Sequence, residues 1–297
     1  MAGIDVAKMR NEYRGSHQLV GTSDGKTLFV RRWDSKCPAP VSVLIFHGIT
    51  GHSAPYGPMV AEQLASAGFD VFGLDLRGHG LSDGRRGDYP SGERFVKDLT
   101  EAVALVRSNS RRLVVMGHSL GALAAVVAVK TRPADIDGVA LVSAAKRIRT
   151  GVYPRAGMGA TLKAALGVAL LRGTPLIEYR REGQTGIDDP LFNFRYSARF
   201  YSVLYGVGAL GAMRMMRSGY IESPNLEFGG KVRIPLLVAV GDQDELFTTE
   251  GAKEFHDGID CDDKEFRVIP GARHAAWPED AFAPLADWLR EKFPSSN

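Results

Sequence analysis

The chain has 297 residues, 44% of them hydrophobic and 24% charged, with a formal net charge of +3 at neutral pH. This is ordinary composition for a globular protein with a sizeable core, and the length calls for one large domain or one carrying an insertion. The charge is too weak to argue for nucleic acid, and no apolar run approaches the ~20 residues of a membrane helix.

Residues 1–12 carry no readable pattern. Gly15 to Gly21 and Thr27 to Trp33 read as an antiparallel hairpin turning at Ser23-Asp24-Gly25-Lys26. Val41 to Phe46 is a short, β-branched, wholly apolar run, predicted as a buried strand. A glycine-bearing loop, His47-Gly48-Ile49-Thr50-Gly51-His52-Ser53, follows it. The pattern then predicts a helix over Pro58 to Gly68, a strand over Phe69 to Leu76, a turn at Arg77 to Ser82 and a helix over Gly92 to Ser108. Leu113 to Met116 is the next strand, Ala122 to Lys130 a helix rich in small residues, and Val139 to Ser143 another strand. Repeated β-α-β predicts a mostly parallel, twisted sheet with helices on both faces.

The alternation lapses between Lys146 and Gly230, where helical patches, glycines, arginines and aromatics occur without a clear strand. It resumes with a strand over Pro235 to Val240, a helix over Thr248 to Gly258 with Thr248 as N-cap, a strand over Phe266 to Ile269 and a closing helix over Pro278 to Phe293. Residues 1–145 and 231–297 therefore read as one core domain, and 146–230 as an inserted helical cap.

Gly117-His118-Ser119-Leu120-Gly121 fits G-x-S-x-G, and its flanks supply the strand, tight turn and helix that make such a pattern a nucleophile elbow. A serine hydroxyl needs a base within hydrogen-bond reach, itself oriented by a third group. In open α/β sheets ligands bind at the carboxyl ends of the strands. There, after the strand 235–240, stands Asp244, with Asp242 and Glu245 as local rivals. After the strand 266–269 stands His274, whereas His256 falls inside a predicted helix and reads as surface. Ser119, Asp244 and His274 follow the chain order nucleophile, acid, base. The backbone N–H groups of Leu120 and Ile49 are the candidate oxyanion donors.

Five motifs, His47 to Tyr56, Asp75 to Ser82, Gly117 to Gly121, Gly241 to Asp244 and Gly271 to His274, together resemble the monoacylglycerol lipase/lysophospholipase group of α/β-hydrolases. The resemblance covers roughly 41–145 and 232–293. It implies an α/β-hydrolase fold, a triad of Ser119, Asp244 and His274, an oxyanion role for Ile49 and Leu120, and hydrolysis of carboxylic esters without a cofactor. His-Gly followed by Ile-Thr-Gly departs from the Ala-Gly-Glu pattern expected of the closest lipases.

His47, His52 and His79 lack metal-ligand spacing such as H-E-x-x-H and read as loop packing, with no metal expected. In the insertion, Leu162, Leu166 and Leu170 share one helical face, and Phe200 to Met213 is a second uncharged stretch leading to Met215 and Met216. Such faces either pack on the core or roof an acyl site. Between Arg147 and Asn225 stand ten arginines and one lysine against three glutamates and two aspartates. A cap so basic suits anionic interfaces or acidic substrates, or is a solvated face. Cys37 and Cys261 are too few and too distant for a disulfide framework or a zinc site, and with no apolar leader visible the expected location is cytoplasmic. The reading is a serine ester hydrolase acting on a small-molecule ester or lipid. Lactone, thioester or peptide hydrolysis on the same triad, or ligand binding with little turnover, stand as alternatives.

Overall fold

The structure, a computed structural model, describes residues 4–37, 39–149, 173–179 and 186–294. The predicted helical face of Leu162, Leu166 and Leu170 lies outside them, as do the side chains of Met213 and Met216.

Eight strands form one sheet. In chain order they are β1 (His17–Gly21), β2 (Thr27–Trp33), β3 (Ser42–Phe46), β4 (Asp70–Leu74), β5 (Leu113–His118), β6 (Gly138–Val142), β9 (Leu236–Gly241) and β10 (Lys264–Ile269). Their spatial order is β1-β2-β4-β3-β5-β6-β9-β10, with β1 and β2 paired antiparallel and every pair from β4 to β10 parallel. This is the α/β-hydrolase fold.

Side chains alternate across the sheet. Leu113 and Val115 of β5 enter one core, and Val114 and Met116 enter the other. The first core is covered by α3 (Gly92–Ser108) and α4 (Gly121–Thr131). Helix α3 is capped by Ser91, whose hydroxyl accepts from the Arg94 N–H, and it buries Phe95, Leu99, Ala102, Val103 and Val106 at helical spacing. Helix α4 is buried on every side from Gly121 to Val129, so its sequence shows no polar face. The second core is covered by α2 (Glu62–Ser66) and the C-terminal helix (Ala283–Lys292).

Several sequence expectations are corrected. Val6–Glu12 forms a helix, α1, that buries none of its residues, which is why no apolar period announced it. The helix expected over 58–68 opens as a π-helical turn, Gly57–Ala61, before α2. The closing helix begins at Ala283, after a 3-10 turn over Glu279–Phe282. The stretch 146–230 contains a short ladder, β7 (Ile177–Glu178) with β8 (Arg195–Tyr196), whose two-residue strands are too brief to alternate visibly. It also contains helices α5 (Ala198–Tyr205) and α6 (Ala209–Ser218). His256, read as surface, is 8% exposed and bonds Asp257, because its face of the helix Thr249–Asp257 turns inward. Among the described residues no helix is long and apolar enough to cross a membrane.

Candidate active site

Ser119 stands between β5 and α4 with φ of +55°, a left-handed conformation that costs energy for any residue with a side chain. The strain persists because its surroundings leave no alternative. The Ser119 N–H donates to the Val142 carbonyl at 2.9 Å, and its own carbonyl accepts from Ala122 at 3.0 Å. A Cβ at Gly121 would lie 2.0 Å from the Phe46 carbonyl oxygen, and one at Gly117 2.4 Å from the Gly121 oxygen. Only glycine lets strand and helix close this tightly.

Asp244 and His274 reach the same point from the loops after β9 and β10. His274 Nε2 lies 2.9 Å from Ser119 Oγ. Its Nδ1 lies 3.1 and 3.2 Å from the two oxygens of Asp244. A carboxylate only accepts, so Nδ1 carries the proton and Nε2 is left to accept from the serine hydroxyl. Asp244 is 1% exposed, and its Oδ1 also accepts from the N–H groups of Leu246 at 2.8 Å and Phe247 at 3.0 Å. Burial alone would raise its pKa; the His274 contact and the Phe247 N–H outweigh it and bring the carboxyl down to about 2.

The rival acids are engaged elsewhere. Asp242 Oδ1 accepts from the Gly271 N–H at 2.7 Å, and Glu245 Oε2 accepts from the His274 N–H at 3.0 Å. Glu245 thus holds the backbone of His274 while Asp244 faces its ring.

The Ile49 and Leu120 N–H groups are the expected donors for an oxyanion. Among the described residues neither has a hydrogen-bond partner, and both residues line the cleft or the elbow beside Ser119. His47 orients the first. Its Nε2 accepts from the Leu76 N–H at 3.1 Å, so its Nδ1 carries the proton and donates to the Gly48 carbonyl at 2.8 Å. That carbonyl and the Ile49 N–H belong to one planar peptide, so fixing one aims the other. Burial lowers the His47 pKa to about 4, which keeps the ring neutral.

A second set of contacts was not apparent in the sequence. Gly48 N–H donates to Tyr56 Oη at 2.9 Å, Tyr56 Oη lies 2.7 Å from His118 Nδ1, and His118 Nε2 lies 2.7 Å from the His274 carbonyl. The carbonyl accepts, so Nε2 carries the proton, and the phenol donates to Nδ1. One chain of bonds therefore spans the glycine loop, the elbow and the histidine loop. Tyr56 and His118 both lie within the quoted motifs, but nothing in their spacing indicates that they meet.

The other loop histidines have local partners. His52 Nε2 lies 3.0 Å from Asp189, and His79 Nδ1 lies 3.1 Å from the Arg77 carbonyl. Among the described residues no group of three or more His, Cys, Asp or Glu side chains could hold a metal ion. A cleft lined by Ile49, Met59, Tyr179, Phe192, Leu246 and Ala275 opens onto Ser119.

Residues 38–281 match the family described as serine aminopeptidase, S33. A monoacylglycerol lipase of Mycolicibacterium smegmatis is 26% identical over 274 residues, covering 91% of this chain and 94% of the relative. The uncharacterized protein YnbC of Escherichia coli is 25% identical over 281 residues, 92% of this chain; the chain spans only 46% of YnbC's length. Among solved structures, the monoacylglycerol lipase of Paleococcus ferrophilus is similar with a TM-score of 0.61 at 25% identity, covering 89% of this chain and 99% of that one.

Proposed function

The chain belongs to the serine aminopeptidase S33 family, in the monoacylglycerol-lipase-like group of α/β-hydrolases, and on that premise we propose that it is a serine carboxylic ester hydrolase acting through an acyl-enzyme. The observation that carries the reading is the continuous line from Asp244 through His274 to Ser119 Oγ. Ser119 Oγ attacks the ester carbonyl carbon while its proton passes to His274 Nε2. The C=O π pair moves onto oxygen, and the N–H groups of Ile49 and Leu120 donate hydrogen bonds to the resulting oxyanion. Collapse expels the alcohol, which takes the proton from His274. Water then attacks the acyl-serine, giving its proton to His274, and a second collapse returns that proton to Ser119 and releases the acid. Asp244 holds the tautomer and offsets the imidazolium charge in both halves. No cofactor enters.

The substrate class belongs to the same proposal: a monoacylglycerol or a similar ester or lipid, its acyl chain against the apolar side chains of the cleft. Residues 146–230 serve as an inserted cap. In support, the insertion leaves and returns at one place. Arg147 bridges Tyr220, Ile148 N–H donates to Gly219, and Ile221 N–H donates to Lys146. The excess of arginine in this segment suits transient contact with anionic interfaces. A cytoplasmic setting is part of the reading, in keeping with free thiols at Cys37 and Cys261.

The test is hydrolysis of p-nitrophenyl esters over a range of acyl lengths, with a fluorophosphonate adduct located by peptide mass. Turnover with label on Ser119 is expected. Label on another residue, or no turnover of any ester, overturns the reading in favour of a different nucleophile or a binding role.

A further inference from the structure

Thr50 follows Ile49, and its φ of +71° places it in the left-handed region without the freedom of glycine. Residues 193 and 196, in the stretch 146–230, grip its backbone. The Thr50 N–H donates to Tyr196 Oη at 2.8 Å, and the Thr50 carbonyl accepts from the Asn193 N–H at 2.8 Å. The Tyr196 hydroxyl in turn donates to the Asn193 carbonyl at 3.1 Å, which closes the contacts into a ring. Thr50, Asn193 and Tyr196 are all buried, Tyr196 completely.

The two residues that grip Thr50 are themselves anchored. Asn193 Nδ2 donates to the Gly78 carbonyl at 2.7 Å. Ser197 donates through its N–H to Gly87 at 2.8 Å and through its hydroxyl to Asp88 at 2.6 Å. Arg199 pairs with the same carboxylate. The Tyr196 ring packs on Phe200, centroids 4.5 Å apart, and stacks near His79 at 5.9 Å. Tyr196 is thus a fixed post standing on the loops 78–88, and the strained peptide next to Ile49 hangs from it.

We propose that Tyr196 is a positioning residue: through Thr50 it sets the aim of the Ile49 N–H, so that the inserted segment, and not the sheet alone, completes the oxyanion site. This rests on the reading of Ile49 as an oxyanion donor. His47 fixes the peptide on the near side of Ile49, and Tyr196 with Asn193 fixes the backbone on its far side. Any movement that lifts residues 193–196 off the core releases Thr50 and relaxes the loop. The hydrolytic machinery is then assembled only when this part of the insertion is seated.

Tyr196→Phe removes one oxygen and keeps the ring. With a p-nitrophenyl ester we expect kcat to fall about 10-fold or more with KM within about 2-fold, less than the 10²–10³ of losing an oxyanion donor outright. Affinity for a trifluoromethyl ketone, whose serine adduct carries an oxyanion, should weaken by the same factor as kcat/KM. Thr50→Gly in the Tyr196→Phe background should restore part of kcat, because glycine accepts a positive φ without being held. Independently of any turnover, hydrogen exchange in the peptide 47–52 should quicken in Tyr196→Phe while that of 113–118 is unchanged. Unaltered exchange at 47–52 in the folded variant overturns the clamp. Altered exchange with unaltered kcat and ketone affinity overturns its role in the oxyanion site. Failure of the wild type to hydrolyse any ester counts against the proposed function, and the exchange experiment still decides the clamp.

Discussion

Tyr56 Oη stands 2.7 Å from His118 Nδ1, and through that bond the loop bearing Ile49 and the loop bearing His274 are tied to the elbow between them. Tyr56 is buried, and burial pushes its phenol well above the ordinary range, so it remains a donor at any working pH. Tyr56→Phe removes the acceptor of the buried Gly48 N–H and the hydroxyl that donates to His118 Nδ1. A loss of about 1–3 kcal/mol in stability is expected, read as a lowered denaturation midpoint, since buried polar groups left unpaired cost that much. kcat should fall further than the unfolded fraction explains. An unchanged midpoint would show that the chain of bonds carries no energy.

Asp244→Asn should lower kcat by roughly 10³–10⁴-fold with a small change in KM, since an amide no longer holds the tautomer that leaves Nε2 free to accept. Asp242→Asn serves as the comparison, because Asp242 meets the Gly271 N–H and not the imidazole. Steady-state kinetics of both variants decides between the acids. A larger defect in the Asp242 variant would contradict the assignment.

Stability should fall as pH drops from about 6.5 towards 4. His47, fully buried and pulled down to about 4, and His79, lowered well below its usual value by burial and by the nearby His47, stay neutral in the fold while the unfolded chain takes up protons near 6.5. The unfolded state binds more protons in that window, so acid favours it. For His47 the contribution is on the order of 3 kcal/mol above pH 6.5. Urea midpoints of wild type and His47→Asn should therefore converge as the pH falls. A gap that stays constant from pH 7 to 4.5 would mean that His47 titrates alike in both states.

Gly121→Ala would set a methyl group 2.0 Å from the Phe46 carbonyl oxygen, against backbone that cannot give way. Overpacking of this kind costs about 1–3 kcal/mol or more. A drop in melting temperature is expected, with loss of activity beyond it because Ser119 would be displaced. A variant as stable and as active as wild type would refute the close approach of α4 to the sheet.

The middle of the sheet was legible because β3, β5, β6 and β9 are short, mostly apolar and buried throughout, and because the helix Gly92–Ser108 repeats its buried face at every turn. Ser119, Asp244 and His274 could be selected in advance because glycines mark the turns that carry them to strand ends. What stayed hidden depends on contacts between distant segments. Nothing around Tyr196 shows periodicity, and its partner Thr50 is 146 residues away. His47 could be read only as packing, and His118 only as a letter of its motif, until the N–H of Leu76 and the carbonyl of His274 fixed which nitrogen of each carries the proton. The helix Val6–Glu12 escaped for the opposite reason: with no buried residue, it has no pattern to display.

The most direct test is p-nitrophenyl ester hydrolysis by the wild type beside Ser119→Ala, each confirmed folded by its melting curve. Turnover in the wild type and a loss of roughly 10⁴-fold or more in the variant is the predicted result. Equal turnover in the two would contradict the account, because the hydroxyl that meets His274 at 2.9 Å would then have no part in the reaction.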